Sequence, residues 1–263
     1  MSEHDKADLP GPAAGILARG GGGSIAYNSL TGKNPGIVFL HGFKSDMTGG
    51  KALAVEAFCQ RRGQAFLRFD ASGHGGSGGN FEEGTIGQWT ADAVAAIDAL
   101  TEGPQILVGS SMGGWIMLLA ALERRERVAG LVGLAAAPDF TEELIFDAFT
   151  PEQKQTLLSG GVVLVDNPVE NVPYPITRRL IEEARQHLLL ADPINLTCPV
   201  RLVHGQQDLD VPWQTALRLQ EQLLSADVEV TLVKSAGHRL SEPQDLDRLF
   251  DLLERLLRQV EQG

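Results

Sequence analysis

The stretch QILVGSSMGGWIML, residues 105–118, runs as an apolar strand-like block, stops at a corner of small residues, and restarts as an apolar helix-like block. Gly109, Ser110, Ser111, Met112 and Gly113 form the corner, which matches G-x-S-x-G around Ser111. A turn this sharp needs neighbours with almost no side chain, so that strand and helix approach closely and the serine hydroxyl is lifted above the sheet. The first turn of the following helix then aims its free N–H groups at the same point. The pattern selects Ser111, and Ser110 falls at its variable position.

Outward from this corner, strand and helix patterns alternate. IVFL (37–40), AFLRF (65–69), VAGLVGLAA (128–136), VRLVH (200–204) and VEVTLV (228–233) read as strands, like QILVGS (105–110). Helices are predicted over 52–62, 86–100, 112–122, 212–224 and 243–260. Two short edge strands precede them, on either side of the glycine-rich turn at 19–24. Continuous apolar strands alternating with helices indicate an α/β fold with a mostly parallel central sheet and helices on both faces. Between Pro138 and Pro199 the rhythm breaks. Helical patterns at 142–149, 151–158 and 176–190 surround the loop VDNPVENVPYP, which predicts a small helical lid insertion over about 138–190. Residues 16–263 are expected to form a single domain, with 1–15 as a flexible N-terminus.

The chain has 263 residues, 43% hydrophobic and 21% charged, a globular composition. A net charge of −12 repels nucleic acid and anionic membrane surfaces, and this excludes both as main partners. Cys59 and Cys198 make no disulfide framework and have no metal spacing, so they read as inert thiols. The start, MSEHDKADLPGPAAG, shows neither a secretory nor a transit pattern, and no apolar run has membrane-spanning length. The expected location is therefore cytoplasmic, as a monomer or homodimer.

A second G-x-S-x-G occurs at 75–79, and 73–78 also matches the dinucleotide pattern G-x-G-x-x-G. A phosphate loop opens directly into a helix, whereas these glycines run into Asn80, Phe81, Glu82 and Glu83, whose carboxylates repel a pyrophosphate. Nucleotide binding is set aside on that ground.

A serine hydroxyl is a poor nucleophile until a base takes its proton. In sheets of this type the order is serine, acid, histidine. The one histidine after Asp208 is His238, in the loop following VEVTLV. Its acid should follow the preceding strand, where VRLVHGQQDLDVPW offers Asp208 and Asp210. The G-x-x-D-x-x-V-P layout favours Asp208 and leaves Asp210 near a helix N-terminus. His204 reads as a structural hydrogen-bonding residue. His41-Gly42-Phe43 ends an earlier strand at the same sheet edge, so the Phe43 and Met112 amides are assigned to an oxyanion hole. His41 has no second ligand at metal spacing, and neither metal nor cofactor is called for.

With these residues in place, the chain resembles the α/β-hydrolase superfamily, whose D-x-x-G-x-G-x-S loop also accounts for residues 70–77. SDMTGGKALAVEAFC, LRFDASGHGGSGGN, GPQILVGSSMGGWIML and RLVHGQQDLDVPW resemble the mitochondrial palmitoyl-protein thioesterase group of that superfamily, α/β-hydrolase domain-containing protein ten, over roughly residues 35–260. The resemblance implies a serine hydrolase that cleaves acyl esters or thioesters through an acyl-enzyme, with Ser111 as nucleophile, Asp208 as acid and His238 as base. S-acyl proteins and acyl glucuronides are the substrates it implies. A carboxylesterase or lactonase preferring short acyl groups is the alternative. Phe43, Trp115, Phe146 and Phe149 are expected to contact substrate. Leu144, Ile145, Leu157 and Leu158 join Phe146 and Phe149 in an apolar set that either lines an acyl pocket or packs the lid internally.

Overall fold

The computed structural model describes residues 11–20, 23–165 and 173–262. In chain order the strands are β1 (Ala13–Ala18), β2 (Ser24–Leu30), β3 (Lys33–Leu40), β4 (Gln64–Phe69), β5 (Gln105–Ser110), β6 (Val128–Leu134), β7 (Val162–Val165), β8 (Tyr174–Thr177), β9 (Val200–Gly205) and β10 (Val228–Val233). The helices are α1 (Gly50–Arg62), α2 (Ile86–Leu100), α3 (Met112–Glu123), α4 (Pro151–Gly160), α5 (Arg178–Ala184), α6 (Gln214–Gln222) and α7 (Pro243–Gln262).

Strands apolar on both faces need cover on both faces. In β3, Ile37 and Phe39 pack with Val55 and Cys59 of α1 and Leu253 and Leu257 of α7. Val38 and Leu40 project the other way, into a core shared with Trp89 of α2, Leu118 of α3 and Leu219 of α6. Eight strands form one sheet in the order β1-β2-β4-β3-β5-β6-β9-β10. Two pairings in this sheet are antiparallel, β1 with β2 and β2 with β4, at one edge. From β4 to β10 every pairing is parallel. The chain steps from β3 to β4 on one side and later to β5 on the other, so a crevice opens at the carboxyl ends of β3 and β5. Burial pushes the Cys59 thiol up and the Cys198 thiol to about 11, so neither is a thiolate at neutral pH.

Two expectations are corrected. The stretch 1–15 is not irregular throughout: β1 begins at Ala13 and pairs with β2, while residues 1–10 lie outside the described residues. The insert between β6 and β9 is not purely helical. Residues 141–146 make a π-helical turn, and α4 follows with a capping box between Thr150 and Gln153. Ile176 then belongs to β8, which pairs antiparallel with β7. Ile176, Leu180 and Ala184 are spaced as one helical face, but the β-branched Ile176 and Thr177 go to the strand. Thr177 Oγ1 accepts from the Leu180 amide at 3.0 Å and starts α5 there. Most of the loop VDNPVENVPYP, residues 166–172, lies outside the described residues.

Candidate active site

Ser111 holds φ 55° and ψ −122°, a positive φ that costs a non-glycine residue about 1–3 kcal/mol. Surrounding packing leaves it no alternative. Its amide donates to Leu134 O at 3.0 Å, and its carbonyl accepts from Gly114 at 2.8 Å and Ala137 at 3.1 Å. A Cβ on Gly113 would stand 2.2 Å from Leu40 O, and one on Gly109 would stand 2.4 Å from Gly113 O. The corner closes only because both are glycine.

The structure brings Asp208, His238 and Ser111 into one hydrogen-bonded chain. Ser111 Oγ donates to His238 Nε2 at 3.1 Å, and His238 Nδ1 donates to Asp208 Oδ2 at 2.8 Å. The residues arrive from three strand ends, those of β5, β9 and β10. Asp208 Oδ1 accepts from the Asp210 and Val211 amides at 2.9 and 2.8 Å. His204 Nε2 lies 3.2 Å from Asp208 Oδ2 and 3.0 Å from Val211 O. Burial by itself would raise the Asp208 carboxyl, but hydrogen bonds from His204, His238 and the Val211 amide hold it well below the usual range. Asp208 is therefore a carboxylate at neutral pH and fixes the His238 proton on Nδ1, which leaves Nε2 free to accept.

The segment His41-Gly42-Phe43 lies against this chain. A Cβ on Gly42 would come within 3.4 Å of Ser111 Cβ. His41 Nε2 accepts from the Ala71 amide at 3.1 Å, so its Nδ1 carries the proton and donates to Gly42 O at 2.8 Å. Burial lowers its pKa. His41 thus braces the loop. The glycines of 70–77 are equally structural: Asp70 accepts from the Met47 and Gly76 amides, and a Cβ on Gly75 would overlap Asp70 Oδ2. They lead into a single 3-10 turn, Phe81–Glu83, rather than a long helix.

Above these groups lies a cavity of about 640 Å³, lined by Gly42, Phe43, Ser111 and His238 and by Phe140, Leu144, Ile145, Val165, Tyr174 and Ile176 from the insert. Its volume suits a small organic ligand. Phe43 lines it, packed edge-on against Phe140 and Tyr174. Trp115, Phe146 and Phe149 do not line it. Trp115 is 0% exposed beneath the insert and donates to His187 O at 3.0 Å. Phe149 packs with Leu157, Val163 and Ile181 inside the insert. Phe146 lies between the cations of Lys154 and Arg185. Of the apolar insert set, Leu144 and Ile145 reach the cavity, Leu157 is internal and Leu158 is 55% exposed.

A family model described as "Serine aminopeptidase, S33", of the α/β-hydrolase type, matches residues 33–178. The chain belongs to the α/β-hydrolase family. This hydrolase is 44% identical over 237 residues to the palmitoyl-protein thioesterase ABHD10, mitochondrial, of Rattus norvegicus, covering 89% of this chain and 80% of that one. Among solved structures, mouse α/β-hydrolase domain-containing protein 10 superposes with a TM-score of 0.88 at 41% identity, covering 94% of this chain and 99% of that one. A putative hydrolase from Agrobacterium vitis S4 gives 0.89 at 38%, with 94% and 98% covered. The family and the thioesterase relative make the chain a serine hydrolase. They also correct the expected location: the ABHD10 relatives are named mitochondrial, which points away from a purely cytoplasmic protein.

In this hydrolase several positioning groups were not visible in the sequence. Asp139, at φ 62°, accepts from the Leu189 and Leu190 amides at 2.8 Å each and ties the start of the insert to its end. Lys51, Leu209 and Arg239 line the cavity, though they are distant from Ser111 in sequence and none was singled out as a candidate. Asp208, Asp210 and His238 present ligand atoms within 4.8 Å of one another. Asp208 and His238 are already joined to each other there, so the cluster is the hydrogen-bonded chain itself rather than a separate metal centre. Among the described residues no helix is long and apolar enough to cross a membrane.

Proposed function

We propose that this protein is an S-acyl thioesterase of the palmitoyl-protein thioesterase type. The observation that carries the reading is the unbroken path Asp208–His238–Ser111, which opens into a cavity walled by apolar insert residues. His238 Nε2 takes the Ser111 proton as Oγ attacks the acyl carbonyl. The Phe43 and Met112 amides receive the oxyanion, one from the β3 loop and one from the first turn of α3. His238 then gives the proton to the departing sulfur, and the thiol leaves with the acyl group on Ser111. Water, deprotonated by His238, attacks the ester, and the acid departs as the proton returns to Ser111. Asp208 stabilises the imidazolium in both halves without taking a proton. The acyl chain lies along Phe43, Phe140, Leu144, Ile145 and Ile176. The 44% identical thioesterase relative supports the thioester as substrate.

The test is a steady-state panel of acyl lengths, each as an oxygen ester and a thioester, with Ser111→Ala as control. kcat/KM is expected to rise toward long chains with thioesters competitive. A peak at two to four carbons with a strong preference for oxygen esters would instead make this a small-ester hydrolase.

A further inference from the structure

The chain carries 34 acidic and 22 basic side chains, and its arginines are mostly paired: Arg62 with Glu254, Arg68 with Glu56, Arg124 with Asp98, Arg201 with Asp227, Arg218 with Glu143. Of the three cations that line the catalytic cavity, Lys44 lies over the Phe81 ring, 4.5 Å from its centroid, and Lys51 and Arg239 are exceptions of another kind. Among the described residues neither Lys51 nor Arg239 has a carboxylate at ion-pair distance. Lys51 is half-buried and its Nζ donates to the Arg239 carbonyl. Burial, and then the Arg239 charge, push its ammonium down to about 8, against the pull of Asp245 and Asp208. It also stands at the second residue of α1, where the helix dipole disfavours a cation. An unpaired, partly desolvated cation is unfavourable unless an anion joins it. The acids that line the same cavity are not at ion-pair distance from either cation: the Asp46 carboxylate accepts from the Thr48 amide and hydroxyl, and the exposed Asp210 has a carboxylate oxygen within 4.8 Å of ligand atoms of Asp208 and His238.

The chemistry says which end of the substrate meets these cations. His238 protonates the departing atom, so the leaving group exits on the His238 side. Arg239 follows His238 directly, and Lys51 is bonded to the Arg239 carbonyl. The apolar wall of Phe140, Leu144, Ile145 and Ile176 comes from the insert. We propose that Lys51 and Arg239 form a carboxylate-recognition subsite for the leaving group, which selects S-acylated peptides that carry an acidic residue beside the acylated cysteine. The proposal rests on the thioesterase reading and adds to it the identity of the peptide.

Two substrate pairs test it, both octanoyl thioesters. One pair is a cysteine peptide with Glu or Gln next to the acylated residue. The other is 3-carboxy-4-nitrothiophenol against 4-nitrothiophenol. The readout is the ratio of kcat/KM, acidic over neutral, so a general loss of activity in a variant cancels. In the wild type the peptide ratio is expected at about five- to ten-fold, falling with added salt. Lys51→Met should bring it close to one, and Arg239→Gln, which keeps the carbonyl that Lys51 binds, should lower it partway. Lys51→Arg should retain it. A wild-type ratio near one in both substrate pairs, or a ratio unchanged in both Lys51→Met and Arg239→Gln, overturns the subsite. A preference confined to the small thiols overturns the peptide assignment. No turnover of any thioester overturns the thioesterase reading itself and the subsite with it.

Discussion

The strand ends that carry Ser111, Asp208 and His238 and the insert between β6 and β9 face each other across one cavity, and they are held by different forces. The strand ends are continuous with two cores that run the length of the sheet. Side-chain positions there follow from parallel register and from corners too tight for anything but glycine. The insert has a separate small cluster of Phe149, Leu157, Val163, Ile176 and Ile181. The insert also joins the larger sheet core through Phe140, Leu180, Ala184 and Leu190, and is tied by Asp139 to the Leu189 and Leu190 amides, by Trp115 to His187 O, and by half-exposed ion pairs such as Arg185 with Glu142 and Arg218 with Glu143. Exposed pairs of this kind contribute about 0.2–1 kcal/mol each. Strand ends and tight corners thus set the reacting atoms, while an insert with a small core of its own, anchored on the sheet core from one side, supplies the apolar wall of the cavity.

The largest effect should come from the rigid side. Ser111→Ala is expected to lower kcat by about 10⁶ and to abolish fluorophosphonate labelling, with the melting temperature nearly unchanged because alanine keeps the Cβ and the same positive φ. Equal labelling of the variant would remove Ser111 from the reaction. Asp208→Asn comes next. It preserves the shape of the loop but upsets the His238 tautomer, and kcat should fall by about 10⁴ in burst and steady-state assays while circular dichroism stays native.

The insert should respond differently. Leu157 is 1% exposed in its small core, and Leu157→Ala should destabilise that unit by about 2–3 kcal/mol. Limited proteolysis is expected to cut the variant within the insert, and kcat/KM should lose its preference for long over short acyl chains. Loss of turnover across all chain lengths would instead mean that the insert also holds the reacting groups.

The smallest effect is a pH dependence that belongs to the loops under the scaffold. Burial, then the His41 charge, push His74 from 6.5 to about 4, and burial lowers His41 as well. Between pH 6.5 and about 4 the unfolded chain binds more protons than the folded one, so stability rises with pH and falls on acidification. Urea unfolding should lose about 2–3 kcal/mol across that window, and His74→Asn, which keeps a donor toward Ser72 O, should flatten the slope. A slope identical in wild type and variant would show that His74 does not carry it.

The sheet and the Ser111 corner were legible because their signals are local. Apolar runs bounded by glycine report strands buried on both faces, and G-x-S-x-G after a strand and before an apolar helix leaves one arrangement of the backbone. Asp208 and His238 were legible through chain order, since each stands in a loop that follows a parallel strand. The insert was misread where two signals competed: the i, i+4 spacing of Ile176, Leu180 and Ala184 suggested one helix, but pairing with β7 claimed Ile176. Phe146 and Phe149 belong to an apolar set in the insert that fits an acyl pocket or internal packing equally well, and neither that set nor the aromatic character of Trp115 says which face of an element meets the cavity.

Sequence by itself determined the layered α/β architecture, the identity of the strained serine and the order of its partners, because periodicity and steric exclusion act within a few residues. Only the tertiary structure decided that His204 and two amides join His238 on the Asp208 carboxylate, that Trp115 and Asp139 clamp the insert, and that the Lys51 ammonium meets the Arg239 carbonyl at the cavity. Those contacts join residues far apart along the chain, and packing alone brings such residues within hydrogen-bonding distance.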